Sequence, residues 1–328
     1  MITYDRAGSV ASVEPVFLLG FQRSGTTLLR LMLDAHPALA IPFESFVLID
    51  FFNRCNNYDL ARADERARLS GDLVAAKGIS AWQPSVALSD IDLDACTSYA
   101  AAVNEIFTAY ARRCGKRIWG DKTPSYTSEL HVLNALFPRA RFVHLIRDGR
   151  DVALSIVRQS WGPSDLLTAL DKWAEVVGWV RRMGTMLPSS RYLEVRYEEL
   201  VADPTRVLTE ITSFLDLPFD PAMLERGGGP RGKLPEASMA FHRNLSRPVD
   251  STLAYEWRTR LSATDQVLAL KIAGPVLTEL GYQVDAVSVS GMRVAARHTW
   301  HVASAASRWR IRRALRPIRQ RLRAAREQ

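Results

Sequence analysis

The sequence has few cysteines and no long apolar run, and both shortages exclude classes of protein. Its three cysteines, Cys55, Cys96 and Cys114, are odd in number and widely spaced, whereas disulfide frameworks and zinc sites need pairs or clusters. No apolar stretch reaches the roughly 18 residues of a membrane span, and the first residues lack the basic start and apolar core of a signal peptide. These absences predict buried, reduced thiols and a cytoplasmic protein.

The positive charge of the chain is unevenly distributed. The 328 residues have a formal net charge of +8 at pH 7 and an otherwise ordinary globular composition, with 47% hydrophobic residues. Residues 293–328 contain eleven arginines and one acid, so this segment carries a formal charge of +10 and residues 1–292 are nearly neutral. We therefore predict a folded domain at 1–292 and a basic tail at 293–328.

An apolar strand, a glycine-bearing loop and a helix are predicted near the N-terminus. The apolar run Val16–Leu19 leads into GFQRSGTT at 20–27, and the pattern over 26–35 indicates a helix. Backbone N–H groups of such a loop, together with the N-terminus of the helix, can hold an anion. The position where a P-loop NTPase carries its lysine holds Thr26, which argues against hydrolysis of ATP or GTP.

The side chains of this loop add further anion donors. Ser24, Thr26 and Thr27 supply hydroxyl groups, Gly25 permits the turn, and Arg23 supplies a forked cation. The alternative interpretation is a turn between a strand and a helix that binds nothing.

The same strand, turn and helix pattern occurs a second time. Arg141–Ile146 reads as a central strand, and RDGRD follows it before another helix. We expect Arg147 and Ser155 to converge on one phosphate at the carboxyl edge of the sheet. Arg150 and Asp151 have two open interpretations, a ligand contact or local pairing and capping.

Strands that alternate with helices predict an α/β fold with a parallel sheet. Further strands are expected at 116–120 and 191–195. Residues from about 45 to 115 show helical patterns without strand alternation and predict a helical insertion. The Gly- and Pro-rich stretch at about 227–252 is long for a connection and predicts a functional lid or a disordered segment.

Taken together, RSGTTLLRLMLDAHP with a glutamate after it, DKTP, FPRARFVHLIRDGRDVALS and RYEEL resemble the sulfotransferases that use 3′-phosphoadenosine 5′-phosphosulfate (PAPS). The pattern is most similar to the bacterial and tyrosylprotein-type branch and covers residues 16–282. The resemblance implies a P-loop-like fold of three layers, with a central parallel sheet between helices. It places the 5′-phosphosulfate on Arg23, Ser24, Gly25, Thr26 and Thr27, and the 3′-phosphate on Arg147 and Ser155.

The resemblance also implies the catalytic groups. Transfer of a sulfuryl group needs a base for the acceptor hydroxyl and a cation for the leaving oxygen. Glu44 matches the catalytic glutamate of tyrosylprotein-type enzymes and Lys122 of DKTP matches the family lysine, so PAPS is expected as co-substrate and no metal is expected. The alternatives are a glutamate in the first turn of a helix and a lysine in a surface turn.

Two further cofactor contacts follow from the resemblance. Tyr197 corresponds to the tyrosine near the adenosine and the 3′-phosphate. Arg247, in Arg-Pro-Val, would contact the cofactor phosphates, with Arg231 and Lys233 as alternatives. His144 lies inside an apolar strand and is interpreted as a core residue.

The tail RWRIRRALRPIRQRLRAAREQ predicts a basic helix with a thin apolar stripe. Such helices lie on anionic membrane surfaces, bind acidic carriers or remain solvated appendages. All three alternatives stay open for this tail, including a peripheral contact at the inner face of the membrane.

The predicted function is that of a PAPS-dependent sulfotransferase acting on a hydroxyl of a small metabolite, lipid or glycolipid, without a specific nucleic-acid partner. Two alternatives compete with it. A P-loop kinase or NTPase would show magnesium-dependent turnover, and a non-catalytic nucleotide-binding tether would work through its basic tail.

Overall fold

The structure is a computed structural model that describes residues 8, 10, 13–163, 165–225, 254–284, 289–292, 294–297 and 299. It contains two compact units. The first comprises residues up to Arg147 together with Val176–Ala254, and the second comprises Asp148–Glu175 and the residues from Tyr255 onwards. The predicted lid, with Arg231, Lys233 and Arg247, and the tail from residue 300 onwards lie outside the described residues.

The first unit is built on a five-stranded sheet in which every neighbouring pair of strands is parallel, in the order β2-β3-β1-β4-β5. The predicted parallel α/β fold is therefore confirmed. The two-residue strand β2 is not foreseen by the sequence, because so short a strand has no periodicity. The strands are β1 Val16–Leu19, β2 Leu39–Ala40, β3 Ile118–Asp121, β4 Arg141–Ile146 and β5 Tyr192–Arg196.

Helices connect these strands. Between β2 and β3 the structure shows helices and no strand, as expected for the stretch 45–115. None of the helices in the described ranges is long and apolar enough to cross a bilayer. The α-helices are α1 Thr26–Asp34, α2 Val47–Asp50, α3 Ala63–Ala75, α4 Tyr99–Arg113, α5 Leu130–Leu136, α6 Gly149–Ile156, α7 Leu166–Gly184, α8 Tyr197–Ala202, α9 Pro204–Phe214, α10 Ala222–Glu225, α11 Trp257–Arg260 and α12 Ala263–Glu279.

The sheet buries both of its faces. Alternate residues of β1 point to opposite sides, so Phe17 and Leu19 pack into a core with α4 and α5, whereas Val16 and Leu18 pack into a core with α1, α8 and α9. Strands covered on both faces read as continuous apolar runs. This explains why β1 and β4 are the strands that the sequence shows most clearly.

In the second unit, the residues after β4 stabilise their own helix. The Asp148 carboxylate accepts from the backbone N–H of Arg150 and binds its guanidinium at 2.9 and 2.7 Å, with both side chains buried. The Arg150 guanidinium lies 3.5 Å from the ring centroid of Trp257. Asp151 accepts from the backbone N–H groups of Tyr255 and Trp257. Of the two open interpretations of Arg150 and Asp151, these contacts support local pairing.

Candidate functional site

Each of the five strands is followed by a segment that the sequence predicts to be functional. The glycine-bearing loop follows β1, Glu44 lies beyond β2, Lys122 follows β3, Arg147 follows β4, and Tyr197 follows β5. Since parallel strands end at the same edge of a sheet, these segments are carried along one edge. The loop after β1 lies between those of β3 and β4, because β1 is the central strand.

The loop after β1 has the backbone of an anion-binding turn. Arg23 and Gly25 have positive φ angles of 70° and 94°, and Gly25 is the N-cap of α1. Left-handed residues in such a turn bring successive N–H groups to one side. A Cβ atom on Gly25 would lie 2.4 Å from the ring of Tyr197, so only glycine fits this position.

The hydroxyl of Ser24 supports the same interpretation. It is buried, and it has no hydrogen-bond partner among the residues that the structure describes. A buried hydroxyl without a partner is costly. A phosphate or phosphosulfate oxygen in the turn would satisfy it, so these residues fit the predicted donor.

Two arginines meet beside this loop. The Arg147 guanidinium donates to the carbonyl of Arg23 at 3.4 Å and lies 4.5 Å from the ring centroid of Tyr197. The pKa of Arg23 is lowered, first by burial and then by the positive charge of Arg147. Positive charges held close together at strand ends create a potential that favours an anion. The structure thus brings together three of the predicted cofactor residues, Arg23, Arg147 and Tyr197.

The predicted base and the predicted cation are in direct contact. The Nζ of Lys122 forms a salt bridge with Oε1 of Glu44 and donates to Oγ1 of Thr27 at 3.3 Å. Lys122 is fully buried. Burial lowers its pKa, and the carboxylate of Glu44 acts in the opposite direction. Lys122 therefore links Glu44 to the loop at 20–27, which we call the phosphate loop.

Thr123 and Tyr126 hold the segment that carries Glu44. The backbone N–H of Ser45 donates to Oγ1 of Thr123 at 3.1 Å, and the N–H of Leu48 donates to the hydroxyl of Tyr126 at 2.9 Å. The hydroxyls of Ser45 and Tyr126 are 3.1 Å apart. The residues that follow β3 therefore set the position of the proposed base.

Thr127 holds the other loop. Its Oγ1 accepts from the N–H of Gly20 at 2.9 Å and donates to the Gly20 carbonyl at 3.0 Å. Sequence reasoning missed this role, because Thr127 lies 107 positions from Gly20 along the chain. Only the nearness of Thr127 to DKTP could have drawn attention to it.

A second carboxyl that sequence reasoning missed lies beside Lys122. Asp121 is fully buried, and burial raises its pKa to about 6, while the hydroxyls of Ser45 and Thr123 and the charge of Lys122 act in the opposite direction. A buried carboxyl with a perturbed pKa is common at functional sites, and Asp121 lies next to the two residues for which the sequence predicts catalytic roles.

Two predicted residues are not tested by this arrangement. Ser155 lies on α6 in the second unit and is half-buried, and its contact with the 3′-phosphate stays a prediction. Arg247 lies outside the described residues. Within the described ranges, no group of three or more His, Cys, Asp or Glu side chains could hold a metal ion.

Fold and site together define a P-loop-like α/β protein with an anion-binding type of turn at the carboxyl edge of its sheet. A family model described as "Sulfotransferase family" matches residues 15–221. The chain therefore belongs to the sulfotransferase family, and the predicted enzyme class, a PAPS-dependent sulfotransferase, is confirmed.

Curated relatives agree with this assignment. Protein-tyrosine sulfotransferase A of Caenorhabditis elegans is 25% identical over 83% of this chain and 68% of its own length. Protein-tyrosine sulfotransferase of Drosophila melanogaster is 26% identical over 81% and 51%. Nodulation protein NoeE of Sinorhizobium fredii is 27% identical over 81% and 65%. The chain thus spans about half to two thirds of the length of these relatives.

A solved structure is similar over nearly all of its length. The sulfotransferase domain of the olefin synthase from Synechococcus PCC 7002 is 28% identical, with a TM-score of 0.61, over 85% of this chain and 99% of the domain. The sulfotransferase domain from the curacin biosynthetic pathway shares the fold, with a TM-score of 0.57 over 84% and 100% at 23% identity.

Proposed function

We propose that this chain transfers the sulfuryl group of PAPS to a hydroxyl of a small metabolite, lipid or glycolipid, with Glu44 as the general base. The observation that carries the proposal is the contact of Lys122 with both Glu44 and Thr27. One cation thereby connects a carboxylate to the phosphate loop. A sulfuryl group would move from the donor at this loop to the acceptor hydroxyl at the carboxylate.

PAPS supplies a sulfur atom attached to a phosphate that leaves readily. The chain supplies the N–H groups of the turn at 23–27, the hydroxyls of Ser24 and Thr27, and the guanidiniums of Arg23 and Arg147. Charge-assisted hydrogen bonds from such donors are strong, and they fix orientation as well as affinity. These groups would hold the donor with its sulfur exposed to the acceptor.

In the reaction the acceptor oxygen forms a bond to sulfur while the bond from sulfur to the 5′-phosphate oxygen breaks. Glu44 takes the proton of the acceptor hydroxyl, and 3′-phosphoadenosine 5′-phosphate (PAP) leaves with the electron pair. Lys122 offsets the charge that develops on the leaving oxygen, because a cation already in place needs little reorganisation.

For Glu44 to act as the base and Lys122 as the cation at the leaving oxygen, the salt bridge between them must open. While the two groups are paired, Oε1 of Glu44 is engaged by the ammonium of Lys122, and the charge of that ammonium is directed at Glu44 rather than at the leaving oxygen. We infer that the bound donor draws Lys122 towards the phosphate loop, where Thr27 already accepts its hydrogen bond. Glu44 is thereby released to act on the acceptor.

The relatives show two kinds of named role, protein-tyrosine sulfation and nodulation. Neither defines the acceptor of this chain, and we propose a small hydroxyl-bearing molecule instead. We also propose a cytoplasmic protein whose tail touches an anionic surface, and the support is the formal charge of +10 over residues 293–328.

Transfer from sulfur-labelled PAPS to a set of phenols, alcohols and sugars tests the proposal. Replacement Glu44→Gln keeps the size of the side chain and removes the base, so transfer is expected to fall by about 10²–10⁴. Glu199→Gln is the control, because Glu199 is exposed and pairs with Arg206 on the surface. Transfer by Glu44→Gln within threefold of the wild type would contradict the proposed base.

A further inference from the structure

The side chain of Phe46 has an unusual position beside the proposed base. It is 43% exposed, although its neighbours Ser45 and Val47 are buried. Its backbone has a φ of 58° and a ψ of −4°, in the left-handed region. A bulky residue rarely adopts this conformation, and backbone strain of this kind concentrates at binding and catalytic sites.

Buried side chains of the helical stretch 45–115 hold the backbone on both sides of Phe46. The indole N–H of Trp82 donates to the carbonyl of Phe43 at 2.7 Å. The hydroxyl of Tyr99 lies 3.0 Å from the carbonyls of both Val47 and Leu48 and donates there. Thr123 and Tyr126, which follow β3, form further hydrogen bonds to the same segment.

The backbone is also packed tightly just before Phe46. A Cβ atom on Gly78 would lie 1.9 Å from the carbonyl oxygen of Ser45 and 2.9 Å from that of Glu44. Gly78 therefore allows two backbone segments to touch. We call residues 43–48 the base loop, and its backbone is held on both sides of the exposed Phe46.

Phe46 is two residues from Glu44, so their Cα atoms are at most about 7 Å apart. On the other side of Glu44, the half-buried ring of Phe43 has its centroid 6.0 Å from Nζ of Lys122. The proposed base is therefore flanked in sequence by two phenyl rings. An acceptor whose hydroxyl reaches Glu44 would bring its neighbouring atoms close to this part of the base loop.

We propose that Phe46 contacts the acceptor and that the acceptor carries a ring or a comparable apolar group next to its reacting hydroxyl. The proposal rests on the proposed function, because it requires Glu44 to be the base. Isolated exposed apolar residues are ordinary, but Phe46 combines exposure with a strained and firmly held backbone beside the base. Aromatic rings favour offset or edge contacts with other rings, so a phenol or fused-ring alcohol fits better than a sugar.

Binding of two probes to the PAP-saturated protein tests the proposal by calorimetry. The probes are 2-naphthol, whose hydroxyl is attached to an aromatic ring, and N-acetylglucosamine, whose pyranose ring is polar and carries several hydroxyls. The variants are Phe46→Ala, which removes the ring, and Phe46→Leu, which keeps apolar bulk. Leu88→Ala is the matched control, because Leu88 is another exposed apolar residue, at 38%, outside the base loop.

We expect wild type to bind 2-naphthol more tightly than N-acetylglucosamine. Phe46→Ala should weaken 2-naphthol binding about tenfold, as for the loss of one apolar contact in a pocket. Phe46→Leu should recover most of that loss, Leu88→Ala should change nothing, and every variant should bind PAP like the wild type.

Unchanged 2-naphthol binding in Phe46→Ala, or tighter binding of N-acetylglucosamine by the wild type, would overturn the role of Phe46 while leaving the sulfotransferase proposal standing. Absence of 2-naphthol binding to a PAP complex that forms normally would do the same. Failure of the wild type to bind PAP would overturn both.

Discussion

Two regions at the carboxyl edge of the sheet differ in the charges that they bring together. In the base region, formed by Glu44, Asp121 and Lys122, charges of opposite sign lie next to one another and Lys122 is fully buried. In the anion region, formed by Arg23 and Arg147, two charges of the same sign lie close together. The base region thus pairs its cation with a carboxylate, whereas the anion region becomes favourable when it holds an anion.

Lys122 connects the two regions. Lys122 belongs to the base region, yet its hydrogen bond to Thr27 reaches the phosphate loop. An anion bound in that loop competes with Glu44 for the same ammonium group. We therefore propose that donor binding releases Glu44, the proposed base, through Lys122.

Replacement Lys122→Met is expected to have the largest effect, because it removes the cation that the two regions share and keeps the approximate length of the side chain. Loss of one preorganised donor at a developing charge lowers turnover by about 10²–10³. Lys116→Met is the control, since Lys116 pairs with Asp34 away from the proposed machinery. Steady-state transfer from PAPS checks the prediction, and turnover within threefold of the wild type would refute the coupling.

Replacement Asp121→Asn tests the buried carboxyl of the base region. Burial raises its pKa from 3.8 to about 6, so the folded chain binds more protons than the unfolded chain between these values. Its contribution to the free energy of unfolding is complete below about pH 3.8 and is lost as the pH rises to about 6, by at most about 3 kcal/mol. Denaturant unfolding across this range should show the fall in the wild type and not in the variant.

The exposed carboxyl of Asp59 provides the control for this measurement, because Asp59→Asn changes the net charge equally. Parallel pH dependences for the wild type and Asp121→Asn would show that Asp121 is not the group that titrates.

Replacement Gly25→Ala tests whether the turn of the anion region binds the donor. The added Cβ would clash with the Tyr197 ring, and alanine disfavours the backbone φ of 94° at this position. PAP affinity is therefore expected to fall by about thirtyfold, or about 2 kcal/mol. Gly115→Ala is the control, because Gly115 has a φ of 68° with open space around it. It shares the strain without the clash. Equal PAP affinity in the two variants would show that the turn does not hold the donor.

The sequence reveals the parts of this site that are local along the chain. The strands β1 and β4 are continuous apolar runs, and the loops that follow them carry their donors within a few residues. For the same reason Arg23, Glu44, Lys122, Arg147 and Tyr197 could be placed by motif. Their convergence follows from the parallel sheet, since each lies beyond the carboxyl end of a strand.

The contacts that hold the site together could not be read from the sequence. The bonds of Thr123 and Tyr126 to the base loop join positions 78 residues apart, and nothing local marks them. The conformation of Phe46 is equally hidden, because phenylalanine disfavours a positive φ and adopts it here only under tertiary constraint. Asp121 stands next to a predicted residue, but its unusual pKa comes first from its burial in the fold, which the sequence does not show.

Calorimetric titration with PAP, in chelator-treated buffer without magnesium, tests most directly whether the two loops bind a phosphosulfate nucleotide. We expect tight binding to the wild type, at least tenfold weaker binding to Arg147→Ala, and unchanged binding to Arg206→Ala, where a surface arginine is removed. No binding of PAP by the wild type, with binding of ATP and magnesium instead, would contradict it.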